Sequence, residues 1–217
     1  MKNIRILFLR SCFFIFLPLY ASGDQHDWEL KKEENGIKVY TRYAENSRLK
    51  EVRAVTEVES SLSGIVALLL DVKNYPNWIY ACSEASTLKA VSDHEEYHYQ
   101  VTSLPWPFDN RDMIWHFNIE QEGSTKIVNI TNTSEPDYIP AKKGIVRVKR
   151  VQSSYKLTPL SGGKVEVEFE IFVDPGGSIP AWLINANIVA APYKTTVAMN
   201  KQLPNYQTAS FPFITEK

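Results

Sequence analysis

The stretch His94-Glu95-Glu96-Tyr97-His98 matches H-E-x-x-H, the pattern in which two histidines and a glutamate build a hydrolytic zinc site. On a helix, positions i and i+4 lie about 6 Å apart, so two imidazoles reach one tetrahedral ion while the glutamate activates its water. On a strand the same spacing covers about 13 Å, and the two rings cannot share an ion. The flanks decide between them. Tyr97, Tyr99 and Val101 alternate with His98 and Gln100, which is the period of a strand, and no nearby helix offers a third ligand. The chain carries no G-x-S-x-G elbow, Walker loop or dinucleotide fingerprint. The sequence therefore predicts neither a metal nor a cofactor.

Composition bounds the rest. The 217 residues, 44% of them hydrophobic and 12% aromatic, suffice for one domain with a sizeable core. A formal net charge of -1 without long charge runs gives no electrostatic reason for nucleic acid or an anionic membrane as the main partner. At the N-terminus, Lys2 and Arg5 precede an apolar stretch that ends in Ala21, Ser22 and Gly23, the order of a secretory signal peptide. Residues 1–23 are expected to be removed, a retained anchor being the alternative that the short apolar run disfavours, with the product exported to a periplasm or secreted. Cys82 then remains the single thiol, too isolated for an internal disulfide and more fitting as a buried filler than as a nucleophile.

Period-two alternation predicts strands over 36–42, 50–58, 96–101, 113–120, 126–131, 145–151 and 165–173. The last is the clearest: Val165, Val167, Phe169, Ile171 and Val173 fall on one face and Glu166, Glu168 and Glu170 on the other, as in a sheet wet on one side. Turn residues at 122–123 and 161–163 suggest antiparallel neighbours. A first helix is expected after the capping serines Ser60 and Ser61, stopping at Pro76. A second, long helix is expected from Ser178, with Pro180 in its first turn, a kink at Pro192 and an end at Pro204. Its apolar stripe reads Leu183, Ala186, Ala190, Tyr193 and Val197. The fold class is α+β: a curved antiparallel sheet around a long C-terminal helix, enclosing either an apolar cavity or a packed interior. The domain spans 24–207, followed by a tail over 208–217.

Several segments carry a family resemblance: "WELKKEENGIKVYTR" from Trp28, "VKNYPNWIYACSEASTLK" from Val72, "PWPFDNRD" from Pro105 to Asp112, "KGIVRVKRVQSSYKLTPL" from Lys143, and "DPGGSIPAWLIN" from Asp174 to Asn185. Together they make the chain resemble the StAR-related lipid-transfer (START) domains over nearly its whole length after the leader. That resemblance implies a helix-grip fold with one lipid or sterol in an interior tunnel, roofed by the C-terminal helix and a movable loop. Some members place an acidic residue and an arginine inside the tunnel. Those positions fall here at His98 or Gln100 and at Phe117, so the charged pair is missing and a neutral or weakly polar ligand is implied.

Physical reading of the same motifs assigns architecture to Trp106, Arg111, Asp112, Pro175, Gly176, Gly177 and Pro180, with Arg111 pairing Asp112 to pin the loop to its strand. The candidate cavity liners are Trp115 or His98, with Gln100, Phe117, Trp182, Leu183, Ala186, Ala190 and Tyr193, because strand parity leaves open which sheet face is inside. The expected protein is a monomeric, non-enzymatic carrier of a lipid or other apolar small molecule, with transient membrane contact. The wider superfamily implied by the resemblance also contains cyclases and aromatases, whose buried acid or base would here have to be His98, His116 or Tyr99. A scaffold with a filled interior is the third possibility.

Overall fold

The structure is a computed structural model and describes residues 27–177 and 179–216. The signal-peptide reading and the expected cap at Ser178 lie outside the described residues. Ten strands form one curved sheet: β1 (Glu29–Glu34), β2 (Ile37–Tyr43), β3 (Lys50–Glu59), β4 (Cys82–Ser92), β5 (Glu95–Thr102), β6 (Asn110–Gln121), β7 (Val128–Ser134), β8 (Ile145–Arg147), β9 (Arg150–Pro159) and β10 (Lys164–Asp174). Their order is β1-β2-β3-β10-β9-β7-β6-β5-β4, all antiparallel, with β8 added parallel to β6. Two strands lack any signal in the sequence for a simple reason. β1 and β4 are the sheet edges, largely exposed on both faces, so no apolar alternation marks them. The expected strand over 145–151 divides at Val148, its first part pairing with β6 and its second opening β9.

The first helix, α1 (Leu62–Leu70), is capped as expected by a serine, Ser61, whose hydroxyl accepts from the Gly64 amide at 2.9 Å. Glu216 adds a second cap, accepting from the amides of Leu62 and Ser63 at 2.9 Å each. Ile214 is buried in the main core and Gln121 exchanges two hydrogen bonds with Thr215, so residues 208–216 belong to the domain and form no free tail. Pro76 does not stop the first helix. It sits in the first turn of a short helix, α2 (Tyr75–Trp78), where its missing N–H has no partner to lose.

The expected single C-terminal helix is two: α3 (Ala181–Asn187) and α4 (Ala190–Gln202). Pro192 explains the position of the break. It cannot donate to the carbonyl of residue 188, and its ring crowds that carbonyl, so the helix parts at Ile188 and Val189 and restarts with Pro192 in its first turn. Pro180 is the N-cap residue of α3 and not part of its first turn. α4 is nailed to the sheet through buried Thr195, Thr196 and Met199, whereas no residue of α3 is fully buried.

On the outer sheet face a smaller core of Tyr99, Val101 and Ile114 is covered by the segment around Ile139. Arg147 holds that segment down. Its guanidinium forks onto Asp112 at 2.8 and 3.0 Å and donates to the carbonyl oxygens of Pro136 and Ile139. Arg111 is thus not the partner of Asp112. Neighbours on a strand project to opposite faces, so two adjacent side chains cannot form that pair across β6.

Candidate functional site

The inner face of the sheet is fixed by register. His98 lies opposite Trp115, Gln100 opposite Met113 and Thr102 opposite Arg111, so even residues of β5 and odd residues of β6 share one face. A row continues across the sheet from Phe117 through Asn132, Ser153 and Ile171 to Val52. This face does not close on the helices. A cavity of about 550 Å³ remains between them, within the range of small-molecule sites. A filled interior, which a pure scaffold requires, is not what the fold contains.

α1 and α2 bound the deep end with the buried side chains of Leu69, Tyr75 and Trp78. At the other end Pro105 is exposed and Leu104, Phe108, Pro175 and Ile179 are half-buried, which marks the mouth. The roof is α3 and the start of α4, contributing Leu183, Ile184, Asn187, Ile188, Ala191 and Thr195. Asn185 ties this roof to the β2–β3 loop, accepting from the Lys50 amide at 3.0 Å and donating to the Arg48 carbonyl at 2.9 Å.

Five of the expected liners, His98, Gln100, Trp115, Phe117 and Leu183, are on the wall. Four are not. Trp182 is 70% exposed, and Ala186 and Ala190 point to solvent. Tyr193 packs instead with the cluster of Ile37, Val39 and Val52, beneath the Lys32 ammonium and accepting from Asn35 at 2.9 Å. The stripe was read one position out of register. Small alanines are compatible with either helix face, while the bulkier Ile184 and Ile188 mark the side that is covered. Trp106, from the motif loop, is 92% exposed beside the mouth.

The wall is apolar apart from a few groups. Gln100 accepts from the Trp115 indole at 3.2 Å, and Asn132 donates to Ser153 at 3.0 Å. His98 meets the edge of Tyr75, ring centroids 5.5 Å apart. Its Nδ1 lies 3.5 Å from Glu96 Oε1, too far for a hydrogen bond, and both atoms are buried without a partner, as is Asn132 Oδ1. Burial pushes the hydroxyls of Tyr75 and Tyr155 well up, so both stay neutral at physiological pH and neither serves as a base. Burial likewise pushes the Cys82 thiol up to about 11, the state of an inert filler. His94 rests against Phe213 at the surface while His98 faces the cavity, so the two histidines of the opening motif look into different environments.

Sequence reasoning missed Arg111 as a wall residue. Its side chain lines the cavity near the mouth and donates to the carbonyl oxygens of Asp109, Pro175 and Gly176. The glycine turn makes room for it: Gly176 and Gly177 have φ of +63° and +70°, and a Cβ on Gly177 would stand 3.2 Å from Arg111 Nη2. Asn132, Ser153 and Tyr155 were also missed, since their inward direction follows from strand register alone.

A sheet gripping a broken helix over an apolar cavity defines a small-molecule binding module of the helix-grip class. The START domain family profile matches residues 19–202, and the chain belongs to that family. It is 37% identical to an uncharacterized protein of Pseudomonas aeruginosa over 78% of this chain and 83% of that one. It is 30% identical to the phosphatidylcholine transfer protein of Bos taurus over 73% of this chain and 75% of that one. A StAR-related lipid transfer protein from Xanthomonas axonopodis, 36% identical, superposes with a TM-score of 0.77 over 82% of this chain and 98% of that structure.

Proposed function

We propose that this protein is a monomeric, non-enzymatic lipid carrier that takes one apolar molecule between the sheet and the α3–α4 roof and exchanges it at a membrane surface. The observation that carries this reading is the 550 Å³ cavity, walled mostly by aliphatic and aromatic side chains. Each methylene moved into such a space contributes about 0.8 kcal/mol. The names of the relatives, phosphatidylcholine transfer protein among them, support the same reading. Entry is gated by the motif loop at 104–109 and by α3, the roof element with no fully buried residue. Trp106 and Trp182, exposed on those two elements, are the membrane contacts, because an indole partitions favourably into the boundary between lipid and water. The leader-like pattern of residues 1–23 supports a carrier that works outside the cytoplasm, which N-terminal sequencing of the mature protein checks.

The test is native mass spectrometry of the purified protein with extraction of its lipid. A protein that emerges empty and fails to bind fluorescent fatty acids or sterols refutes the carrier reading. One observation favours a cyclase-like enzyme as a second reading: His98 is on the wall with the Glu96 carboxyl behind it. That reading requires a bound compound to be turned over and the turnover to vanish in His98→Ala; a ligand recovered unchanged from both proteins excludes it.

A further inference from the structure

Arg111 is the sole lysine or arginine among the described residues of the wall, which includes no aspartate or glutamate. It is 5% exposed. A guanidinium has five N–H groups, and here three go to backbone carbonyls: Nε to Pro175 and Nη2 to Gly176, both at 3.3 Å, and Nη1 to Asp109. One N–H on each Nη is left over. Among the described residues no carboxylate stands within ion-pair distance of Arg111, whereas Arg147, on the strand beside it, is neutralised bidentately by Asp112. The fold closes one buried arginine and leaves the other with no carboxylate in contact, only the more distant charge of Asp109. Burial holds the Arg111 guanidinium below its ordinary value, and the Asp109 carboxylate offsets this only in part. A cation in that position is costly unless an anion joins it.

Resting on the carrier reading, we infer that Arg111 recognises an anionic group of the ligand, a carboxylate or a phosphate, held at the mouth with the hydrocarbon pointing inward. Two N–H groups on neighbouring nitrogens match two oxygens of either anion. Geometry agrees with an elongated cargo. From Arg111 to Phe117, both on the inner face of β6, the strand runs about 20 Å, and the wall over that distance is Met113, Trp115 and Phe117.

The experiment displaces a fluorescent long-chain alcohol from the full protein with oleate, oleyl phosphate and oleyl alcohol, which share one chain and differ at the head. The expected result is that oleate or oleyl phosphate displaces the probe at about ten- to a hundredfold lower concentration than oleyl alcohol, the better anion naming the source. Arg111→Met should abolish the difference while the alcohol still binds, Arg111→Lys should keep part of it, and Phe117→Ala should weaken all three ligands alike. Equal displacement by the three in the wild type, or a preference that survives Arg111→Met, overturns the inference. Where Arg111→Met does not fold, the wild-type comparison and Arg111→Lys decide. Failure of even the fluorescent alcohol to bind would instead overturn the carrier reading and this inference with it.

Discussion

Removing the two exposed indoles should detach the protein from membranes without emptying its cavity. A tryptophan side chain carries about 200 Å² of surface, and at about 25 cal/mol per Å² its complete burial contributes about 5 kcal/mol. Trp106 is 92% exposed and Trp182 70% exposed, so nearly all of the first and most of the second remain available for transfer. An indole at the interface is covered on roughly half its surface, which leaves about 2 kcal/mol for Trp106 and somewhat less for Trp182, or about 3–4 kcal/mol together. The double variant Trp106→Ala/Trp182→Ala should therefore partition onto neutral vesicles about 100-fold or more weakly, with each single variant about tenfold or more weakly. Vesicle co-sedimentation measures the partition, and the blue shift of indole emission reports which side chain enters lipid. Neither residue lines the cavity, so the affinity for a dispersed single-chain ligand should not change. Co-sedimentation unaltered in the double variant refutes the reasoning.

Other perturbations separate the roles of the remaining groups. Asn185→Ala removes both hydrogen bonds between α3 and the β2–β3 loop and should speed ligand release about five- to thirtyfold in stopped-flow exchange, with little change in thermal midpoint because α3 is not fully buried anywhere. Asp112→Asn leaves the Arg147 guanidinium buried without its carboxylate and should cost about 3–5 kcal/mol in chemical denaturation. The Cys82 thiol rises from 9.0 to about 11 on folding, so its proton is held more tightly in the native state. Its contribution is complete below pH 9 and is lost as pH climbs towards 11; Cys82→Ala should flatten that alkaline loss in a stability–pH series, and native Cys82 should resist alkylation at neutral pH.

The legible parts of the fold are those where burial imposed a period on the chain. β10 alternates because one face meets the core, and α1 is readable from Ser61 and its apolar run. β1 and β4 were invisible because edge strands bury neither face well enough to pattern them. Pro192 was recognised as a disturbance, but its cost falls on the carbonyl four residues earlier, so the break lies at 188–189 and the roof is two pieces. Within the site, His98 and Trp115 looked like alternatives by parity, yet facing residues of antiparallel strands share a face and both line the cavity. Arg111 was misread for a related reason: its neighbour Asp112 is adjacent in sequence but on the opposite side of the sheet, where Arg147 claims it.

The two-piece roof has a further meaning for how the molecule fluctuates. Amides of α4 are coupled to Thr196 and Met199 in the interior, so their hydrogen exchange should require global opening. Those of α3 are backed by half-buried contacts and the Asn185 tether, and should exchange through a local opening of much smaller free energy. Pro192 is then an insulator between two cooperative units, letting one end of the helix breathe on the timescale of cargo exchange while the other keeps the sheet from unfolding.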